Sequence, residues 1–235
     1  VAAQMSTDRE LFISEVGEGT GLQRWVEIFN NGTAQVNLSQ FAIASVNNGG
    51  YGIYESWQTF TAGATLDPGG VYLLVLRSAP ANMTAMADQL VSSLSDGNDG
   101  FALVRGTEYS YTIVDRVGHF GADPGDGFDV CGTQGATKDH TLLRKPTVTQ
   151  GTPDWTDSAG TDPDDCQWIV YPVDTFEYMG WHITIPTPSP TAPPTPLPTP
   201  SPTILPTPPP TSPPTPTAPP TASPMPTAQP ATSSP

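Results

Sequence analysis

The distribution of charge and proline divides this 235-residue chain into two parts near Ile185. All of the charged side chains precede that residue, and 22 of the 29 prolines follow it. A segment of Pro, Thr, Ser and Ala has almost no apolar surface to bury, whereas about 185 residues can enclose one core of ordinary domain size. The sequence therefore predicts an N-terminal extension over residues 1–9, one domain over residues 10–185 and a stalk over residues 186–235.

The acidic composition excludes two classes of partner. The net charge is −15, with 23 acidic residues against 8 basic ones. Such a surface is repelled by nucleic acid and by anionic lipid. The sequence also contains no run of 18 apolar residues. We expect no nucleic-acid partner and no membrane insertion.

Short apolar or alternating runs, separated by Gly, Pro and Asn, predict strands rather than helices. The candidate strands are Leu11 to Val16, Trp25 to Phe29, Phe41 to Val46, Gly70 to Leu76, Phe101 to Arg105, Thr112 to Val117, Thr141 to Arg144 and Gln167 to Tyr171. Short strands at regular spacing are typical of an all-β sandwich.

One stretch, Ala81 to Ser93, has helical spacing. Its apolar positions after Pro80 are Met83, Met86, Leu90 and Leu94. We expect a helix across one end of the sandwich, with these side chains filling the core.

Four short segments occur in a distinctive order: ISEV-EG from Ile13, W-EIFN from Trp25, L-PGG-Y from Leu66 and D-FEY-G from Asp174. In this order they resemble the lamin-tail domain, in its secreted rather than its nuclear form, over roughly Glu10 to His182. The resemblance implies an immunoglobulin-like β-sandwich that is an accessory module without intrinsic catalysis. With the stalk, the predicted fold class is an all-β, immunoglobulin-like sandwich followed by an extended polyproline II tail.

The residues themselves also give no indication of an enzyme. His140 has no nucleophile-elbow glycine pattern to accompany it, and we expect Asp139 and His140 to satisfy backbone groups of a turn. The acidic group Asp162, Asp164 and Asp165 lies in a polar loop, without the apolar setting that a glycosidase acid requires. We interpret these carboxylates as solvated turns.

Several features indicate a secreted, extracellular or cell-surface protein. Cys131 and Cys166 are the only cysteines, and without CxxC spacing they favour a disulfide over a metal site. Three N-glycosylation sequons begin at Asn31, Asn37 and Asn82. The chain starts at Val1 without an initiator Met, as a mature secreted chain or a fragment would.

The run from Ser95 to Gly100 allows a calcium site. Asp96, Asn98 and Asp99 place oxygen ligands at close spacing between glycines, although the closing Glu of an EF-hand loop is missing. The alternative is a turn, because Asn-Gly and Asp-Gly pairs also suit left-handed backbone. No cofactor is required by the sequence, and calcium is the one that it allows.

The stalk repeats with a period of four. Threonine occupies the repeat positions Thr187, Thr191, Thr195, Thr199, Thr203, Thr207, Thr211 and Thr215. A polyproline II helix has about three residues per turn and rises about 3.1 Å per residue, so this period turns successive threonines by about 120° around the rod. The pattern predicts O-glycans on all sides. An unmodified flexible spacer and hydroxylated, glycosylated proline remain as alternatives.

Two functions fit these observations. The first is a non-catalytic structural subunit of an extracellular glycosylated filament or cell-surface appendage, in which the sandwich is a bead and the rod a connector. Its partners are covalent glycans and further copies of the chain in a linear assembly. The alternative is a monomeric stalked adhesion or carbohydrate-binding module.

Overall fold

The computed structural model describes residues 7–50 and 52–185. The predicted polyproline II tail, its eight repeat threonines and part of the predicted N-terminal extension lie outside the described residues. Within the described residues, two packed β-sheets form an immunoglobulin-like sandwich.

The strands, in chain order, are β1 (Leu11–Glu18), β2 (Arg24–Asn30), β3 (Val36–Asn37), β4 (Phe41–Val46), β5 (Ser56–Thr59), β6 (Thr65–Leu66), β7 (Val71–Leu76), β8 (Gln89–Val91), β9 (Gly100–Thr107), β10 (Ser110–Val117), β11 (His140–Arg144) and β12 (Trp168–Pro172). The first sheet has the order β12-β11-β1-β2-β7-β8 and the second has the order β10-β9-β4-β5. A small pair is formed by β3 and β6. The short helices α1 (Ala81–Thr84) and α2 (Trp155–Ala159) and a 3-10 turn (Leu38–Gln40) connect strands.

All eight predicted strands are present, with ends that differ by a few residues. The strands that the sequence did not predict are β3, β5, β6 and β8. They are two to four residues long, and β5 has the largely polar sequence Ser-Trp-Gln-Thr. Strands of this length carry no periodicity that could distinguish them from loops.

The predicted helix from Ala81 to Ser93 is wrong beyond its first turn. Helix α1 ends at Thr84, and β8 follows as a parallel partner of β7. The side chain of Asp88 accepts a hydrogen bond from the backbone N–H of Leu73 at 2.8 Å. Tertiary pairing with β7 therefore outweighs the local helical pattern. Of the predicted core positions, Met83 is buried, whereas Met86 and Leu90 are exposed.

A buried ion pair joins the two sheets. Arg144 of β11 and Asp115 of β10 are hydrogen-bonded to each other, and both side chains are fully buried. The same groups hold both backbone polar groups of Ile13: its N–H donates to Asp115 at 2.9 Å, and its carbonyl accepts from Arg144 at 3.0 Å. Irregularities in strand register follow Ile13 in β1 and precede Asp115 in β10. These β-bulges free the backbone groups that the ion pair then satisfies.

The segment of residues 174–182, which we name the C-terminal strap, covers the outer face of the first sheet. Met179 lies in the same apolar cluster as Trp25 of β2, and the ring of Phe176 packs on that indole. The N–H of Gly180 donates to the carboxylate of Glu27 at 2.8 Å. The D-FEY-G segment found in the sequence is therefore part of the packing of this face.

Gly17 of β1 is required by the same packing. A Cβ at this position would lie 2.1 Å from the ring of Trp25, which is far inside van der Waals contact. Only glycine allows the indole to lie flat against β1. Among the described residues, no helix has the length and apolar character needed to span a membrane.

Candidate binding surface

The structure pairs the two cysteines, as predicted. Cys131 and Cys166 form a disulfide with an S–S distance of 2.08 Å, and both residues are buried. The bond closes a segment that contains β11 and α2, so it ties part of the first sheet to the loop after β10. Disulfides persist in oxidising compartments and are rare in the cytosol.

The three sequon asparagines differ in their surroundings. Asn82 is exposed in the first turn of α1, and Asn37 is exposed with its Oδ1 accepting from the backbone N–H of Ser39 at 2.9 Å. Asn31 is half-buried, and its Nδ2 donates to the carbonyl of Thr149 at 3.1 Å. Glycosylation at all three positions stays a prediction.

The proposed calcium ligands lie in a loop that leads into β9, and each contacts a protein group. Asp99 accepts from the backbone N–H of Asn48 at 2.9 Å, and Asn98 donates to the side chain of Asn48 at 2.6 Å. Asp96 lies 3.9 Å from Arg24. Over residues 7–50 and 52–185, no group of three or more His, Cys, Asp or Glu side chains is arranged to hold a metal ion. Calcium binding stays a prediction.

The residues that we interpreted as turn elements lie in turns, although Asp139 takes part through its backbone, whose N–H donates to Glu18 at 2.8 Å. The Nδ1 atom of His140 lies 2.7 Å from the carbonyl oxygen of Lys138. Asp162 accepts from the backbone N–H of Asp164 at 2.7 Å, and all three carboxylates of this group are exposed.

A cluster of aromatic side chains lies on the outer face of the second sheet. Tyr54, Trp57 and Tyr111 contact one another, with ring centroids 5.2 to 5.7 Å apart and ring planes inclined by 54° to 71°. We name these three residues the aromatic patch. All three are partly exposed and pack on a buried apolar layer that includes Ala44 and Ala102.

The small residues beneath the patch explain how its rings meet. Trp57 is on β5 and Tyr111 on β10, which are the two edge strands of the sheet. Three strand spacings separate them, or about 14 Å between backbones. In register with Trp57 across the sheet stand Ala44 of β4 and then Ala102 of β9. The β10 residue of this row is Arg116, whereas Tyr111 stands opposite Gly106 of β9. Small residues are therefore the cross-strand neighbours of both Trp57 and Tyr111, which leaves room for their large rings to meet.

The surroundings of the patch add exposed apolar surface and charged side chains. Ile53 is 64% exposed, and Tyr109, at the turn between β9 and β10, is 93% exposed. The hydroxyl of Tyr54 donates to the carbonyl of Glu108 at 2.6 Å. Desolvation raises the pKa of Tyr54, and the nearby Glu108 raises it further. Arg116 of β10 lies close enough to Tyr111 to interact with it electrostatically, so the patch is an apolar surface bordered by charges of both signs.

Sequence reasoning did not identify this surface. Its residues come from separate stretches of the chain, and only the strand order of the second sheet brings them together. The one available signal was the placement of alanines at alternate positions of β4 (Ala42 and Ala44), which leaves room for large side chains from other strands.

The fold and this surface define an immunoglobulin-like β-sandwich module with an apolar surface on its smaller sheet. Residues 4–120 match the Lamin Tail Domain family. This part of the chain is a lamin tail domain, and domains of this family are generally non-enzymatic. The match ends after β10, so β11, β12 and the C-terminal strap lie beyond it, although the sequence resemblance extended to His182.

Among curated proteins, no relative matches the chain. One similar solved structure is that of a DUF4876 family protein from Bacteroides thetaiotaomicron VPI-5482, with 13% sequence identity, a TM-score of 0.42 and 74% of each chain covered.

Proposed function

We propose that this chain is a non-catalytic structural subunit of an extracellular glycosylated filament or cell-surface appendage. In this proposal the lamin tail domain is the bead, and the O-glycosylated Pro/Thr segment is the connector between beads. The proposal is carried by one observation, that a disulfide-bonded sandwich continues into an uncharged segment with threonine at every fourth position. Such composition is typical of glycosylated stalks.

Two further features support this function. The disulfide and the three sequons fit an oxidising, glycosylating secretory route. The strong negative charge keeps separate domains apart in solution, so assembly would depend on defined contacts rather than on general adhesion.

Electron microscopy of the full chain, secreted from a eukaryotic host, tests the proposal. We expect regular fibres from residues 1–235 and single particles from residues 1–185, which contain the complete described core. Single particles from the full chain at all concentrations would favour the alternative, a stalked adhesion or carbohydrate-binding module. Mass analysis of the same material would detect O-glycans, and bare threonines would contradict the glycosylated connector.

A further inference from the structure

We propose that the aromatic patch binds a proline-rich stretch of residues 186–235 from a second copy of the chain. This inference rests on the proposed function, because it identifies the surface through which subunits join. Trp57 and Tyr111 are its central side chains, and Tyr54 completes it.

The geometry of the rings favours proline over other apolar ligands. Neighbouring rings are inclined by 54° to 71°, so their edges and faces form notches rather than one flat surface. A sugar ring stacks best on a flat aromatic face. A polyproline II chain presents ridges of pyrrolidine rings, and such chains bind to grooves lined by aromatic residues.

The hydrogen-bonding groups are also complementary. Within the described residues, neither the indole N–H of Trp57 nor the hydroxyl of Tyr111 has a hydrogen-bond partner. Both can donate. A proline-rich segment offers backbone carbonyl acceptors and lacks the N–H at each of its 22 prolines. A ligand rich in acceptors and poor in donors therefore suits this surface.

Charge and length are consistent with the same ligand. Glu108 lies near Tyr54 and Arg116 lies near Tyr111, so charges of both signs border the patch, whereas residues 186–235 carry no charge that either could repel. In polyproline II conformation this segment would span about 150 Å, against roughly 40 Å for the diameter of a domain of this size. It can therefore reach another copy.

A labelled peptide tests the contact without depending on filaments. The probe is residues 204–216 without glycans, and its binding to the unglycosylated full chain is measured by fluorescence anisotropy. We expect saturable binding that Trp57→Ala and Tyr111→Ala each weaken by about tenfold or more, as expected for central aromatic contacts.

The matched control is Trp181→Ala, which removes another half-exposed tryptophan, on the C-terminal strap, and should leave the affinity unchanged. Unchanged thermal midpoints would establish that the variants fold.

Three results of the peptide assay would overturn the inference. The first is equal binding of a peptide with alanine at every proline, and the second is equal binding by the Trp57→Ala and Tyr111→Ala variants. The third is binding only of a Thr-glycosylated peptide, which would make the patch a glycan receptor. Sedimentation is an independent check: the full chain should self-associate, and Trp57→Ala should reduce this association. Association unaffected by this variant would assign the contact between subunits to another surface. Fibres formed by Trp57→Ala would contradict this inference alone, whereas peptide binding without fibres from the wild-type chain would contradict only the proposed function.

Discussion

Glu15 lies directly opposite Glu27 in the antiparallel pairing of β1 with β2, and both side chains are fully buried. Glu27 accepts from the hydroxyl of Ser14 at 2.7 Å and from the N–H of Gly180. The carboxyl oxygens of Glu15 have no well-formed hydrogen bond in the described part of the chain. Burial and then the charge of Glu27 raise the pKa of Glu15 to about 9, which the indole of Trp25 only partly offsets. Burial raises the pKa of Glu27 to about 7.

The first prediction is that the chain loses stability as the pH rises from 7 to 9. In this range the folded chain keeps a proton on Glu15 that the unfolded chain has released. The free energy of unfolding should fall by about 1.4 kcal/mol per pH unit for each such proton. Burial lowers the pKa of His182 to about 4, so this group titrates below the chosen range.

Urea denaturation at several pH values measures this slope. Glu15→Gln should flatten it and stabilise the chain at pH 9, because the amide cannot ionise. Glu108→Gln is the control, since this side chain is exposed at the turn between β9 and β10. The same slope in Glu15→Gln and in the wild type would contradict the assignment to this buried pair.

The second prediction concerns the ion pair between the sheets. Arg144→Lys keeps the positive charge, but a lysine cannot make all of the hydrogen bonds to Ile13, Asp115 and Ser158. It also loses the stacking of the guanidinium, which lies 3.8 Å from the ring centroid of Trp168. We expect a loss of about 3 kcal/mol in the free energy of unfolding, since a buried charge is left poorly paired. Arg77→Lys, at an exposed site, should change it by less than about 0.5 kcal/mol. Similar effects of the two substitutions would argue against a structural role for the pair.

The third prediction is that the disulfide stabilises the sandwich. Replacing both cysteines with alanine opens a closed segment with a sequence separation of 35. In the chain-entropy treatment this costs roughly 3 to 4 kcal/mol. Thermal unfolding of the double variant should give a lower midpoint than the wild type. Reducing agent should lower the wild-type midpoint and leave the variant unchanged, and an equal response of both proteins would contradict the prediction.

The sequence predicted the long apolar strands well because their pattern is local. Strands β1 and β2 are apolar runs bounded by turn residues, and their burial follows from that pattern. Whether an acidic residue in such a strand is exposed is not local information. Nothing near Glu15 in the sequence indicates that residues from the far end of the domain cover this face of the first sheet.

The aromatic patch could not be predicted for a similar reason. Trp57 and Tyr111 are 54 positions apart, and their contact depends on the strand order β10-β9-β4-β5. Periodicity gives the face of one strand and does not give the order of strands in a sheet. The disulfide was predictable because only one pairing of two cysteines exists.

The fourth prediction ranks the N-glycosylation sites. An N-glycan is attached to Nδ2, so the site needs open space around that atom. Asn82 and Asn37 are exposed, and the hydrogen bond of Asn37 uses Oδ1 and leaves Nδ2 free. The Nδ2 atom of Asn31 instead contacts the carbonyl of Thr149 in a half-buried setting. In a eukaryotic secretion host we expect high occupancy at Asn82 and Asn37 and lower occupancy at Asn31.

Glycopeptide mass spectrometry measures each site separately, and Asn82→Gln and Asn37→Gln should each remove one glycan mass without affecting secretion. Greater occupancy at Asn31 than at the other two would mean that glycans are added before this region folds, and that folded-state exposure does not decide the outcome.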